Sequence, residues 1–235
     1  MFEKISSSER GMTKLDWLES YHSFSFGGFY DPDKMNFGSL RVINDDFIQP
    51  GKGFPMHQHN DMEIVTIVFE GEIAHKDSEG NKEVIKADEV QRMTAGRGIF
   101  HSEFNNSDSD VLRLFQIWIM PNAKGLDPSY QQIKYSNEKR KNNLLKVVSG
   151  SKEEGTIYIN QDVDIYLADL DKSISQEIKI DEGRGLYLHL IDGELVIDNH
   201  VLMPGDALKI TSENSITANA SVDSKLILFD AALKF

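Results

Sequence analysis

Two short motifs limit what this chain can become: GKGFPMHQHNDME (Gly51 to Glu63) and TAGRGIFHSEFN (Thr94 to Asn105). His57 and His59 stand two residues apart in the first, His101 and Glu103 two apart in the second. In a β-strand, residues i and i+2 point to one face with Cα atoms roughly 6.6 Å apart. Two such pairs on neighbouring strands would bring three imidazoles and one carboxylate to one point, a donor set suited to a transition metal. The motifs therefore ask for an antiparallel framework that sets two strands side by side.

The rest of the chain supplies strands. Ile64 to Phe69 is a continuous β-branched and aromatic run, long enough for a strand buried on both faces. Ile73 to Lys76 and Glu83 to Lys86 read as arms of a hairpin turning at Ser78-Glu79-Gly80-Asn81. Val90 to Thr94 and Val111 to Met120 are further strands. Ahead of the first motif, Tyr21 to Gly28 reads as a strand running into a turn, Lys14 to Leu18 as a turn of helix, and Leu40 to Ile43 as a short strand. Asp45-Asp46 and Pro50 to Gly53 read as turn material. Residues 121–143 are polar and irregular, and Glu138 to Lys141 looks like an exposed face or linker. Strand patterns resume at Leu144 and continue to the end.

An internal repeat relates the halves. Phe69-Glu70-Gly71-Glu72-Ile73 matches Ile191-Asp192-Gly193-Glu194-Leu195, and Ala87-Asp88-Glu89-Val90 matches Pro204-Gly205-Asp206-Ala207. Counted from the turn glycines, His57 and His59 fall against Lys179 and Asp181, and His101 against Ser215 to Thr217. The second copy has lost the ligand set, so one metal per chain is expected. Short strands with regular turns imply an all-β chain of two tandem jelly-roll barrels with few short helices. The expected units are residues 1–133 with the metal, a connector at 134–143, and residues 144–235 without metal ligands.

Composition excludes several alternatives. The 235 residues carry a formal net charge of −13 with a pI near 4.9, which repels nucleic-acid phosphate. There is no cysteine, hence no disulfide, thiolate site or Cys nucleophile. No apolar run approaches a membrane span and no signal core opens the chain, so a cytoplasmic protein is expected.

Iron, copper, nickel, zinc, manganese and cobalt all accept imidazole. Three histidines and one carboxylate leave one or two positions open, which suits dioxygen or a substrate oxygen and reads as catalytic. Glu63, four residues after His59, competes with Glu103 for the fourth place. Glu103 is preferred because it shares the parity of His101. Beside Lys76 and Asp77, His75 reads as solvated. His189 reads as a hydrogen-bonded core or surface residue; His22, within an aromatic strand, could line the pocket but is read as packing. Some of Met56, Met62, Met93, Phe100 and Phe104, which flank the ligands, are expected to wall the cavity.

The first motif resembles the first cupin motif, Gly-x5-His-x-His-x3-Glu-x6-Gly, at Gly51, His57, His59 and Glu63, with Gly71 one residue late. The second resembles the second cupin motif at Gly98, His101 and Asn105, with Gly96 where proline is usual. Within cupins the chain resembles the pirin family through Tyr21 to Gly27, Gly53-Phe54-Pro55-x-His57-x-His59, Thr94 to Glu103 and Leu114 to Trp118. That resemblance implies a bicupin with one divalent metal, usually iron(II), held by His57, His59, His101 and Glu103. It implies a dioxygenase like the bacterial quercetin 2,3-dioxygenases, taking a small aromatic flavonol and dioxygen, with Glu103 as general base. The alternative it carries is a redox-responsive, metal-containing module that binds another protein without turnover.

Overall fold

The computed structural model describes residues 1–234. In the first half the strands are β1 (Phe2–Ile5), β2 (Gly11–Lys14), β3 (Leu18–His22), β4 (Leu40–Ile48), β5 (Gly53–His59), β6 (Glu63–Glu70), β7 (Glu72–Asp77), β8 (Lys82–Lys86), β9 (Glu89–Thr94), β10 (Ile99–Asn105), β11 (Leu112–Ile119) and β12 (Ser129–Lys134). One helical turn, α1 (Asn137–Arg140), follows. The second half holds β13 (Leu145–Ser149), β14 (Ile157–Tyr158), β15 (Val163–Leu170), β16 (Ser175–Lys179), β17 (Arg184–Asp192), β18 (Leu195–Ile197), β19 (His200–Leu202), β20 (Ala207–Thr211), β21 (Ser215–Ala220) and β22 (Ser224–Ala232). Among the described residues no helix is long and apolar enough to cross a membrane.

These strands build two barrels of matching plan. In the first, a seven-stranded sheet (β12-β9-β6-β11-β4-β3-β2) closes on a four-stranded one (β5-β10-β7-β8). In the second, β1-β20-β17-β22-β15-β13-β14 closes on β16-β21-β18-β19. The repeat seen in the sequence falls at equivalent turns: Gly71 joins β6 to β7 and Gly193 joins β17 to β18, both with positive φ. The two seven-stranded sheets pack against each other. Val65, Ile67, Phe115 and Ile117 from one meet Val163, Ile165, Ile227 and Phe229 from the other in the largest apolar cluster. This is why Ile64 to Phe69 is apolar on both faces: one face fills the first barrel and the other meets the second.

Several expectations are corrected. β1 hydrogen-bonds to β20 and so completes the sheet of the second barrel, although it lies within residues 1–133. No helix forms over Lys14 to Leu18, where a bend links β2 to β3. Asp45 and Asp46 are buried inside nine-residue β4, because neighbours β3 and β11 on both sides override their low strand preference. The irregular stretch contains β12, which adds an edge to β9. The charged run forms α1, whose Arg140 is buried between Asp88 of the first barrel at 3.0 Å and Asp169 of the second at 2.7 Å.

The interior of the second barrel is filled by Leu186, Leu188, Leu190, Leu195, Leu208 and their neighbours. Lys179, on β16, is exposed. That barrel is a packed core, whereas the first keeps an open cavity.

Candidate metal centre

β5 and β10 pair antiparallel with His101 opposite His57 and Ile99 opposite His59. The register then shifts, so Glu103 lies opposite Phe54. Three steps on β5 match two on β10, which is a β-bulge at Pro55-Met56. Proline suits that position because a bulge leaves its missing N–H unmissed. The bulge turns both Phe54 and His57 inward, which simple alternation does not allow. Gly53 is required beyond it: a Cβ there would stand 2.1 Å from the Glu103 carbonyl oxygen.

The three imidazoles converge. Ring centroids are 4.3 Å apart for His57 and His101, 4.8 Å for His57 and His59, and 4.9 Å for His59 and His101. One nitrogen from each lies within 4.8 Å of the others. His57 Nδ1 is 2.8 Å from the Pro55 carbonyl, which only accepts, so Nδ1 carries the hydrogen and Nε2 is the nitrogen left to ligate a metal. Burial lowers the His59 pKa to about 4 and the His101 pKa to about 3, with the neighbouring imidazoles adding to both shifts. Both rings are therefore neutral, with lone pairs available. Neither nitrogen of buried His101 has a hydrogen-bond partner. Such an orphaned imidazole is what a metal ligand looks like without its ion, so the donor set fits a divalent metal.

Glu103 is buried and accepts from Gln116 Nε2 at 2.8 Å. Gln116 Oε1 in turn accepts from Trp118 Nε1 at 3.2 Å. A second trio of donors, each within 4.8 Å of the others, is His75, His101 and Glu103. Thus Glu103 groups most tightly with His101 and His75, while sharing the cavity wall with His57 and His59.

His75 is not solvated. It is buried on β7, opposite Glu103, with Nε2 at 3.3 Å from Asp77 Oδ2. Its parity with buried Ile73 was the available signal. Glu63 is directed away from the centre, on the face of β6 shared with Val65 and Ile67. Its Oε1 accepts from Asn160 Nδ2 of the second half at 2.9 Å and its Oε2 from Thr94 Oγ1 at 3.1 Å. His189 is fully buried but not hydrogen-bonded, and stands edge-on to Phe115 at 5.1 Å.

A cavity of about 470 Å³ adjoins the histidines. Its apolar walls are Leu18, Phe26, Phe54 and Trp118. Met56, Phe100 and Phe104 are instead exposed on the outer face of the β5–β10 ribbon, and Met93 is buried in a separate cluster. Of the polar side of the cavity, the sequence raised only His22 as a candidate; Ser20, Asn44, Asp46 and Gln116 beside it carried no local signal. Burial pushes the Asp46 carboxyl up to about 7, against the Ser20 hydroxyl bond that favours its charged form.

Comparison with known proteins agrees with this geometry. The Pirin family model matches residues 5–119, and the model described as the quercetinase C-terminal cupin domain matches residues 146–231. Quercetin 2,3-dioxygenase of Escherichia coli K12 is 41% identical over 224 residues, covering 95% of this chain and 96% of that protein. A pirin-like protein of Caulobacter vibrioides is 38% identical over 232 residues, covering 98% and 97%. The crystal structure of the bacterial pirin YhhW from E. coli in complex with nickel(II) superposes with a TM-score of 0.94 at 39% identity, covering 99% of both chains. With identity of this order sustained through both barrels, the chain belongs to the pirin family.

Proposed function

We propose that this protein is a dioxygenase that uses a single divalent metal, iron(II) in the cell, to open the ring of a flavonol such as quercetin. The proposed ligands are His57, His59, His101 and Glu103, all in the first barrel. Support comes from the relatives named quercetin 2,3-dioxygenase and from the nickel(II) in the YhhW complex. The observation that carries the reading is the open cavity of about 470 Å³ beside the histidines. That volume lies in the range of small-molecule sites, and its aromatic walls suit a flat ring system. A redox-responsive module without turnover would call for a closed site.

When bound, the metal supplies a positive centre for the substrate's 3-oxygen and a path for electrons to dioxygen. Glu103 takes the proton of the 3-hydroxyl. Gln116 takes only one of the two lone pairs of Oε2, so that oxygen would still serve the metal while Oε1 accepts the proton. Trp118 holds Gln116 and stands edge-on to His59 at 4.8 Å, so one side chain braces both base and ligand. Leu18, Phe26 and Phe54 exclude water from the rings.

The test is metal analysis of protein purified without added metal, followed by assay with quercetin under oxygen. The expected result is about one divalent ion per chain, with quercetin and oxygen consumed and carbon monoxide released. Metal-replete protein that leaves quercetin intact overturns the reading.

A further inference from the structure

The cavity is built from two facing sheets. His57, His59 and Glu103 enter from β5 and β10; His22, Asn44, Asp46 and Gln116 enter from β3, β4 and β11 of the other sheet. The strand register sets His22 opposite Asn44, and Asn44 opposite Gln116. Asn44 is therefore one strand spacing, about 4.8 Å, from the residue that holds Glu103. Ser20, Asp46 and Leu114 form the next row.

Counting hydrogens along this wall leaves two atoms over. Asn44 Oδ1 lies 2.8 Å from His22 Nδ1, and an amide oxygen only accepts, so Nδ1 carries the hydrogen. Burial keeps His22 neutral, so its Nε2 accepts from Thr13 Oγ1 at 2.8 Å. The Ser20 hydroxyl donates to Asp46 Oδ1. Thr13, Ser20 and His22 thus spend their hydrogens holding Asn44 and Asp46 in place. Among the described residues, Asn44 Nδ2 and Asp46 Oδ2 have no hydrogen-bond partner within the chain, and both residues line the cavity, to which their small remaining exposure of 2% each belongs. A donor and an acceptor left free on the wall of a largely apolar cavity are the kind of polar groups that orient a ligand. The two lie at i and i+2 on β4, on one face, roughly 6.6 Å apart at Cα.

We propose that Asn44 Nδ2 and Asp46 Oδ2 form a recognition pair for substrate hydroxyls other than the one that meets the metal. The pair selects polyhydroxylated ring systems over the parent ring. Asp46 Oδ2 in the ionised form accepts from a phenolic O–H, and the Asn44 amide donates to a phenolic oxygen. A ligand lacking these groups covers both atoms without pairing them, which is how a polar site rejects an analogue. This inference rests on the flavonol reading for its substrate class but not on turnover.

Binding is measured calorimetrically on nickel-loaded protein without oxygen, with 3-hydroxyflavone, galangin and quercetin. All three carry the metal-binding 3-hydroxyl and 4-carbonyl. The first has no other hydroxyl, the second adds two on the fused ring, and the third adds two more on the pendant ring. Quercetin is expected to bind about 10- to 100-fold more tightly than 3-hydroxyflavone. That ratio should fall below about threefold in Asp46→Leu and Asn44→Leu. Galangin identifies which ring the pair reads. A wild-type ratio near one overturns the proposal whether or not the variants fold, as does a ratio retained in both variants. Selective binding without oxygen consumption would sink the dioxygenase reading and leave the recognition pair standing. Turnover of 3-hydroxyflavone and quercetin alike, with equal affinity, would do the reverse.

Discussion

Replacing Gln116 with methionine isolates the support beneath the metal centre. Gln116 donates to buried Glu103 at 2.8 Å from the opposing sheet and is itself 8% exposed. Methionine keeps an unbranched chain of similar length but removes the donor. A hydrogen bond to a charged group contributes about 1.5–3 kcal/mol, and each 1.4 kcal/mol is about tenfold in an equilibrium constant, so metal affinity should fall roughly 10- to 150-fold. Loss of an outer support elsewhere typically costs about 10- to 100-fold in affinity, which brackets the same range. The assay is competition for nickel or zinc against a chromophoric chelator, with circular dichroism to establish that the variant folds. Activity alone is a poor reading because Gln116 also lines the cavity. A change below about threefold, beside a His101→Ala control that loses its metal, would refute the view that Glu103 is held as a ligand by this bond.

His101→Ala should abolish both metal retention and quercetin turnover while the barrel still melts cooperatively, measured by metal analysis and thermal unfolding. Asn160→Leu strips a hydrogen bond from buried Glu63 and should cost about 1–3 kcal/mol, lowering Tm by on the order of 5 °C with metal affinity unchanged. Loss of metal in that variant would return Glu63 to the ligand set. Asp46 has a folded pKa of about 7 against 3.8 when free, so its contribution to stability is present below pH 4 and fades as pH rises to 7. Asp46→Asn should therefore gain on the metal-free wild type by up to on the order of 4 kcal/mol across that window in urea titrations. A pH-independent difference between the two would show that Asp46 does not titrate there.

The histidine pairs were legible because strand parity is local: residues two apart share a face whatever the rest of the chain does. The repeat of turn glycines made the tandem barrels legible, and the doubly apolar run at Ile64 to Phe69 anticipated a strand covered on both sides. His75 was equally readable from its parity with Ile73. Other features belong to register and assembly. The bulge at Pro55-Met56, which brings Phe54 and His57 to one face, exists only once β5 lies on β10. Asp45 and Asp46 look like a turn to a local rule, and become strand because β3 and β11 flank them. Glu63 and Arg140 acquire partners 97 and 29 residues away, and β1 joins the barrel at the other end of the chain. The sequence by itself determined which side chains could bind a metal and on which kind of element they sit. Only the tertiary structure decided what faces them across the cavity, since opposing sheets are brought together by burial, which carries no sequence spacing.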